Sequence, residues 1–126
     1  MANELILIVE DNEKNMRLAR DMLQVKGYRT MEAETAEAAL ELVTTQIPDL
    51  VLMDIQLPGM NGMQALGQLR AMPATQHIPV IAFTASVMPQ DRHLIMGAGF
   101  NAFVSKPINV KEFIATIATT LEKEKK

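Results

Sequence analysis

The sequence predicts an α/β fold: a doubly wound, five-stranded parallel sheet covered by five helices. Three observations lead there. Apolar runs such as Leu5–Val9, Leu50–Met53 and Pro79–Phe83 are continuous, not alternating, which is the pattern of strands buried on both faces. Between the runs lie segments whose apolar residues recur at helical spacing. Breakers such as Gly27, Pro48 and Pro73 separate the units. Strands alternating with helices imply parallel pairing through right-handed crossovers.

Each element has its own signal. Leu5–Val9 is the first strand, followed by a helix from about Glu13 to Lys26 with Leu18, Ala19, Met22, Leu23 and Val25 as its apolar face. Gly27 stops that helix. Tyr28–Glu32 is a second strand, and its Arg29 and Thr30 suit a sheet edge. Thr35 caps a helix with the stripe Ala36, Ala39, Leu40, Val43, which Pro48 closes. Leu50–Met53 is strand three. Asn61 caps a third helix carrying Met63, Leu66 and Leu69, closed by Pro73. Pro79–Phe83 is strand four, with Thr84 at its end. Pro89 begins a short fourth helix, to about Met96, before Gly97 and Gly99. Ala102–Ser105 is strand five. Asn109 caps a last helix with Val110, Phe113, Ile114, Ile117 and Leu121 in register.

The bulk numbers bound the function. A length of 126 residues suits one domain, 1–126, and 48% hydrophobic residues supply a core. A net charge of -3 leaves no electrostatic footprint for nucleic acid. Without cysteine there are no disulfides or thiolate metal sites, and a reducing compartment is allowed. The apolar runs are too short to span a bilayer. Asn3 and Glu4 lead straight into the first strand, so no signal peptide is expected and the expected address is the cytoplasm.

The stretch DLVLMDIQLPGMNG, residues 49–62, raises the functional question, because its buried strand ends on a lone carboxylate, Asp54. Desolvating an ionised carboxylate is costly without a partner. Ligands of doubly wound sheets sit at the carboxyl ends of the strands. Those ends carry Glu10 and Asp11, Asp54, Thr84, and Lys106 before Pro107. Neighbouring strands lie about 4.8 Å apart, so if strands one and three adjoin, Glu10, Asp11 and Asp54 converge. Such carboxylates repel, and a hard divalent cation held by oxygen ligands, Mg2+, resolves the conflict. Asp54 can then act as a nucleophile toward a phosphoryl group, with Lys106 and Thr84 on its oxygens. No general base for rapid turnover is evident, which points to a protein that is phosphorylated and not to a high-flux enzyme.

VEDN (9–12), LVLMDIQLPGMNG (50–62), IAFTAS (81–86) and FVSKP (103–107) together resemble the receiver domains of two-component response regulators, across essentially the whole chain. The resemblance implies strand order 2-1-3-4-5 and Asp54 as phosphoacceptor. It implies Asp11 as a direct Mg2+ ligand, Glu10 acting mostly through water, and the main-chain carbonyl of Gln56 as a further ligand. Glu10 stands where many members have Asp. Thr84 and the aromatic Phe103 would form the switch, with Phe where many members have Tyr, and Pro107 would be cis. Gln56 and Ser86 would flank the water that attacks the acyl phosphate. Neither is charged, so a phosphorylated lifetime of minutes or longer is expected. The implied partners are a histidine kinase or a histidine phosphotransfer protein, and effector proteins met through helix four, strand five and helix five. VEDNEKN and DIQLPGMNG resemble in particular the DivK-type single-domain regulators of cell-cycle signalling. A phosphorelay intermediate, a phosphate sink or an excised receiver of a larger kinase would carry the same site.

Other readings account for less. Flavodoxin-like binding needs a phosphate-cradling loop after strand one, and Glu10-Asp11-Asn12-Glu13 would repel phosphate. Dehalogenase-like phosphatases want a second Asp where Gln56 stands. Taken singly, Asp54 could be a strand end or cap, Thr84 a hydroxyl bonded to backbone and Lys106 a surface lysine; only their joint placement carries the reading. Of the ten methionines, Met16, Met22, Met53 and Met63 fit the core, and Met88 and Met96 are interface candidates. His77 and His93 are expected to face solvent.

Overall fold

The strands are as short and apolar as the sequence requires, and they assemble in the doubly wound order. A computed structural model of the chain describes residues 3–57, 59–84, 89–106 and 108–124. Strands β1 (Leu5–Val9), β2 (Arg29–Ala33), β3 (Leu50–Asp54), β4 (Val80–Thr84) and β5 (Ala102–Ser105) pair in parallel in the order β2-β1-β3-β4-β5. Helices α1 (Glu13–Val25), α2 (Ala36–Thr45), α3 (Gly62–Ala71), α4 (Pro89–Gly97) and α5 (Val110–Glu124) follow the strands in turn. The polar β2 lies at one edge of the sheet, beside β1.

Side chains alternate across each strand, and this divides the core in two. Ile6, Ile8, Leu50, Leu52, Ile81, Phe83 and Val104 pack against Met16, Ala19 and Leu23 of α1 and Phe113, Ile117 and Leu121 of α5. Leu7, Val9, Val51, Met53, Val80 and Ala82 pack against α2, α3 and α4 through Ala39, Val43, Leu66, Leu69 and Ile95. Met53 is fully buried, Met16 nearly so, and Met22 and Met63 are half-buried at the core margins. His77 and His93 face solvent.

The helix starts follow the expected caps. Asn12, Thr35, Asn61 and Asn109 each accept a backbone N–H three residues on, at 2.9 to 3.1 Å. Gly27 follows α1 at φ 91°, a conformation that favours glycine.

The expected faces of two helices need correction. Leu18 is 46% exposed and Val25 82% exposed. Each residue turns the helix by about 100°, so Met16, Ala19 and Leu23 share one narrow stripe while Leu18 and Val25 point away from it. Val110, in the first turn of α5, is likewise exposed. Strands β2 and β4 each begin one residue later than expected, and β3 runs on to Asp54.

Leu52 is fully buried in the central strand β3. Leu52→Ala is expected to cost about 2–5 kcal/mol, read as a lowered midpoint in urea denaturation, whereas Val25→Ala should stay within about 0.5 kcal/mol.

Candidate functional site

The two-residue period that builds the core also builds the site. Glu10 follows Ile6 and Ile8, Asp54 follows Leu50 and Leu52, and Lys106 follows Val104, so all three continue the side-chain row that faces α1 and α5. β1 and β3 are neighbours, with Val9 opposite Met53, so the two acids emerge side by side. One ligand oxygen from each of Glu10, Asp11 and Asp54 lies within 4.8 Å of the others. Glu10 and Asp54 are buried, at 1% and 3% exposure, while Asp11 is exposed.

Hydrogen bonds hold the buried pair in place. Asn12 N–H donates to Glu10 Oε2 at 2.9 Å, and Gln56 N–H donates to Asp54 Oδ1 at 2.9 Å. Lys106 Nζ donates to Asp54 Oδ2 at 3.0 Å and stands 2.8 Å from Glu10 Oε1. One ammonium therefore serves both buried carboxylates. Burial pushes the Glu10 carboxyl above its ordinary value and Asp54 adds to the push, while Lys106 and the Asn12 amide act in the opposite direction. Burial pulls Lys106 down, but its contacts with Glu10 and Asp54 outweigh that and hold it above its ordinary value.

The donors are three carboxylates, and the two buried ones share a single ammonium. That set fits a hard divalent cation, and the cluster can hold one.

The helix α3 closes in directly behind the phosphoacceptor candidate. A Cβ at Gly62 would lie 2.4 Å from the main-chain oxygen of Asp54 and 2.9 Å from Ile55 Cα. Gly62 N–H donates to Ile55 O at 3.0 Å. Asn61 and Gln64 form a reciprocal capping box that fixes this helix start.

The remaining expected site residues distribute as follows. Gln56 is exposed, with its backbone against Asp54. Thr84 is buried at the end of β4, one residue beyond Phe83, the register partner of Asp54; its carbonyl accepts from Lys106 N–H at 2.8 Å. Phe103 is half-buried and packs on the α2–α3–α4 side of the sheet, the side that Ala82 also faces. Alternation puts Thr84 on that side too, opposite the acids. Ser86, Met88 and Pro107 lie outside the described residues. Two neighbours of the site carry little signal in the sequence. Gly62 reads there only as part of a turn-like Asn-Gly pair, and nothing marks Phe83, whose ring lies under Lys106.

The response regulator receiver domain family matches residues 6–118, and the chain belongs to that family. It is 45% identical over 116 residues to the polar-differentiation response regulator DivK of Brucella ovis, a match spanning 92% of this chain and 94% of that protein. The DivK of Brucella anthropi is similar to the same degree. Among solved structures, the receiver domain of sensor histidine kinase PA1611 from Pseudomonas aeruginosa PAO1, with a magnesium ion coordinated in its active site cleft, is 31% identical at a TM-score of 0.87, covering 95% of this chain and 98% of that one. The CheY-like receiver domain protein from Methanospirillum hungatei JF-1 is 25% identical at a TM-score of 0.88, covering 98% and 97%.

Two glycines of α3 make a matched pair. Gly62→Ala should destabilise the fold by about 1–3 kcal/mol through overpacking against Asp54. A Cβ at Gly67 would meet nothing within 4 Å, so Gly67→Ala should stabilise by about 0.5–1 kcal/mol. Urea denaturation of the two variants checks both signs.

Proposed function

We propose that this response regulator accepts a phosphoryl group on Asp54 from a histidine kinase or a histidine phosphotransfer protein, and then changes its contacts with effector proteins. The observation that carries the reading is the ammonium of Lys106 shared between Glu10 and Asp54, at 2.8 and 3.0 Å, with Asp11 alongside. Two buried acids at neighbouring strand ends, kept together by one lysine, have little structural purpose and a clear chemical one.

In the proposed step, one Asp54 oxygen attacks phosphorus and the P–O bond forms as the bond to the donor breaks. The electron pair leaves with the donor's imidazole nitrogen, or with acetate when acetyl phosphate is the donor. The product is an acyl phosphate on Asp54. Glu10, Asp11, Asp54 and the main-chain carbonyl of Gln56 would hold Mg2+, which when bound supplies positive charge against the donor's anionic oxygens. Lys106 offers an ammonium to a phosphoryl oxygen, and Thr84, at the open end of β4, would swing its hydroxyl round the strand end to another. Gln56 N–H, already on Asp54, keeps the carboxylate from turning. Receiver domains act generally as switches and not as enzymes, and the uncharged Gln56 beside Asp54 supports slow self-dephosphorylation.

Thr84 and Phe103 share the far side of the sheet, which supports them as the switch pair. A phosphate can bias that switch only through its different interaction with the two states. Leu94 and Met96 on α4 and Val110 on α5 are exposed apolar residues near this pair's elements. They support the surface of α4, β5 and α5 as the place where effectors bind. Likeness to a polar-differentiation regulator supports a role in cell-cycle control. The chain would act as one receiver unit over 1–126, in the cytoplasm. Among the described residues, no helix is long and apolar enough to cross a membrane.

Radiolabelled acetyl phosphate with Mg2+ tests the assignment. The wild-type chain is expected to take up label and Asp54→Asn to take up none while folding normally; equal labelling of the two would refute the site. Once free donor is removed, the label is expected to persist for minutes or longer. Loss within seconds would contradict the role given to uncharged Gln56 and Ser86.

A further inference from the structure

Lys106 carries its charge on a long, flexible stem, yet both ends of it are set by one strand. Its N–H donates to Thr84 O at 2.8 Å. Its ammonium stands 4.7 Å from the ring centroid of Phe83, the residue just before Thr84. That is within the roughly 6 Å over which an aromatic face attracts a cation. Phe83 is fully buried among Ile81, Leu52 and Phe113, so its ring has little freedom to turn away. Phe83 is also the register partner of Asp54, and its carbonyl accepts Ile55 N–H at 3.3 Å. Ring, lysine and phosphoacceptor therefore share one piece of sheet.

The three attractions on the ammonium differ in kind. Those of Glu10 and Asp54 depend on carboxylate charge, which a bound cation offsets and phosphorylation of Asp54 alters. The ring's attraction comes from its quadrupole, carries no net charge and persists through both events. A leucine or valine at this position would be apolar too and exert none of it.

We propose that Phe83 is a positioning residue for phosphorylation: the face of its ring keeps the Lys106 ammonium beside Asp54 while the charges of the surrounding carboxylates change. This rests on the reading of Asp54 and Lys106 given above.

The test replaces Phe83 by phenylalanines bearing one, two and three ring fluorines. Fluorine withdraws electron density from the ring face and changes its shape little. The initial rate of labelling by acetyl phosphate with Mg2+ is expected to fall stepwise, by about fivefold at the last member, with the thermal midpoint unchanged. In a Lys106→Met background the residual rate should be flat across the series. Equal rates across the series with Lys106 present would overturn the proposal, as would the same decline without Lys106. The Lys106 ε-methylene protons provide a readout that needs no phosphorylation: they should show an upfield ring-current shift that Phe83→Leu removes. Absence of that shift would also overturn it. Failure of the phosphorylation reading itself would show separately, as labelling that Asp54→Asn does not abolish.

Discussion

The site depends on one electrostatic constraint: two carboxylates leave water together at the end of a parallel sheet, and one ammonium stands between them. Each acid alone would incur a desolvation penalty. Together they would repel. Lys106 answers both difficulties at 2.8 and 3.0 Å, and the direction of its own titration, held up despite burial, reflects the two negative neighbours. The compensation is incomplete. Glu10 remains harder to ionise than an ordinary glutamate, and a single ammonium stands against two buried carboxylates. A site left short of positive charge in this way is suited to receive a cation.

The sheet supplies the geometry without any added element. Alternation sends Glu10, Asp54 and Lys106 to the α1–α5 side, in line with the core rows beneath them, and sends Thr84 to the other side with Phe103. In β4, Phe83 and Thr84 are adjacent residues facing opposite ways. One strand therefore borders the charged cluster on one side and the proposed switch on the other. On the proposed function, a change of charge at Asp54 is felt across the sheet within one residue of β4, without a long relay.

Much of this is legible in the sequence. Continuous apolar strands and capped helices predict the sheet, and the residues at the strand ends point to the acidic cluster and its lysine. The order of the strands is what turns separated residues into neighbours, and it comes from the family resemblance more than from periodicity. What the sequence conceals has physical reasons. Leu18 and Val25 look like core because apolar character alone does not fix a helix face; a turn of about 100° per residue does. Gly62 resembles any turn glycine, since its requirement arises from the approach of α3 to the Asp54 backbone. Phe83 passes as one more buried aromatic, because an ion 23 residues further along the chain, counted from 83 to 106, gives its face a second role.

The most direct test of the shared-cation site is an NMR titration with Mg2+, following the amides of Asn12 and Gln56, which donate to the Glu10 and Asp54 carboxylates. Both signals are expected to move together and saturate with one dissociation constant, while amides at the opposite strand ends, such as Arg29 and Asp49, stay still. Motion of only one of the two, or none at either, would contradict a cation shared by the acids of β1 and β3.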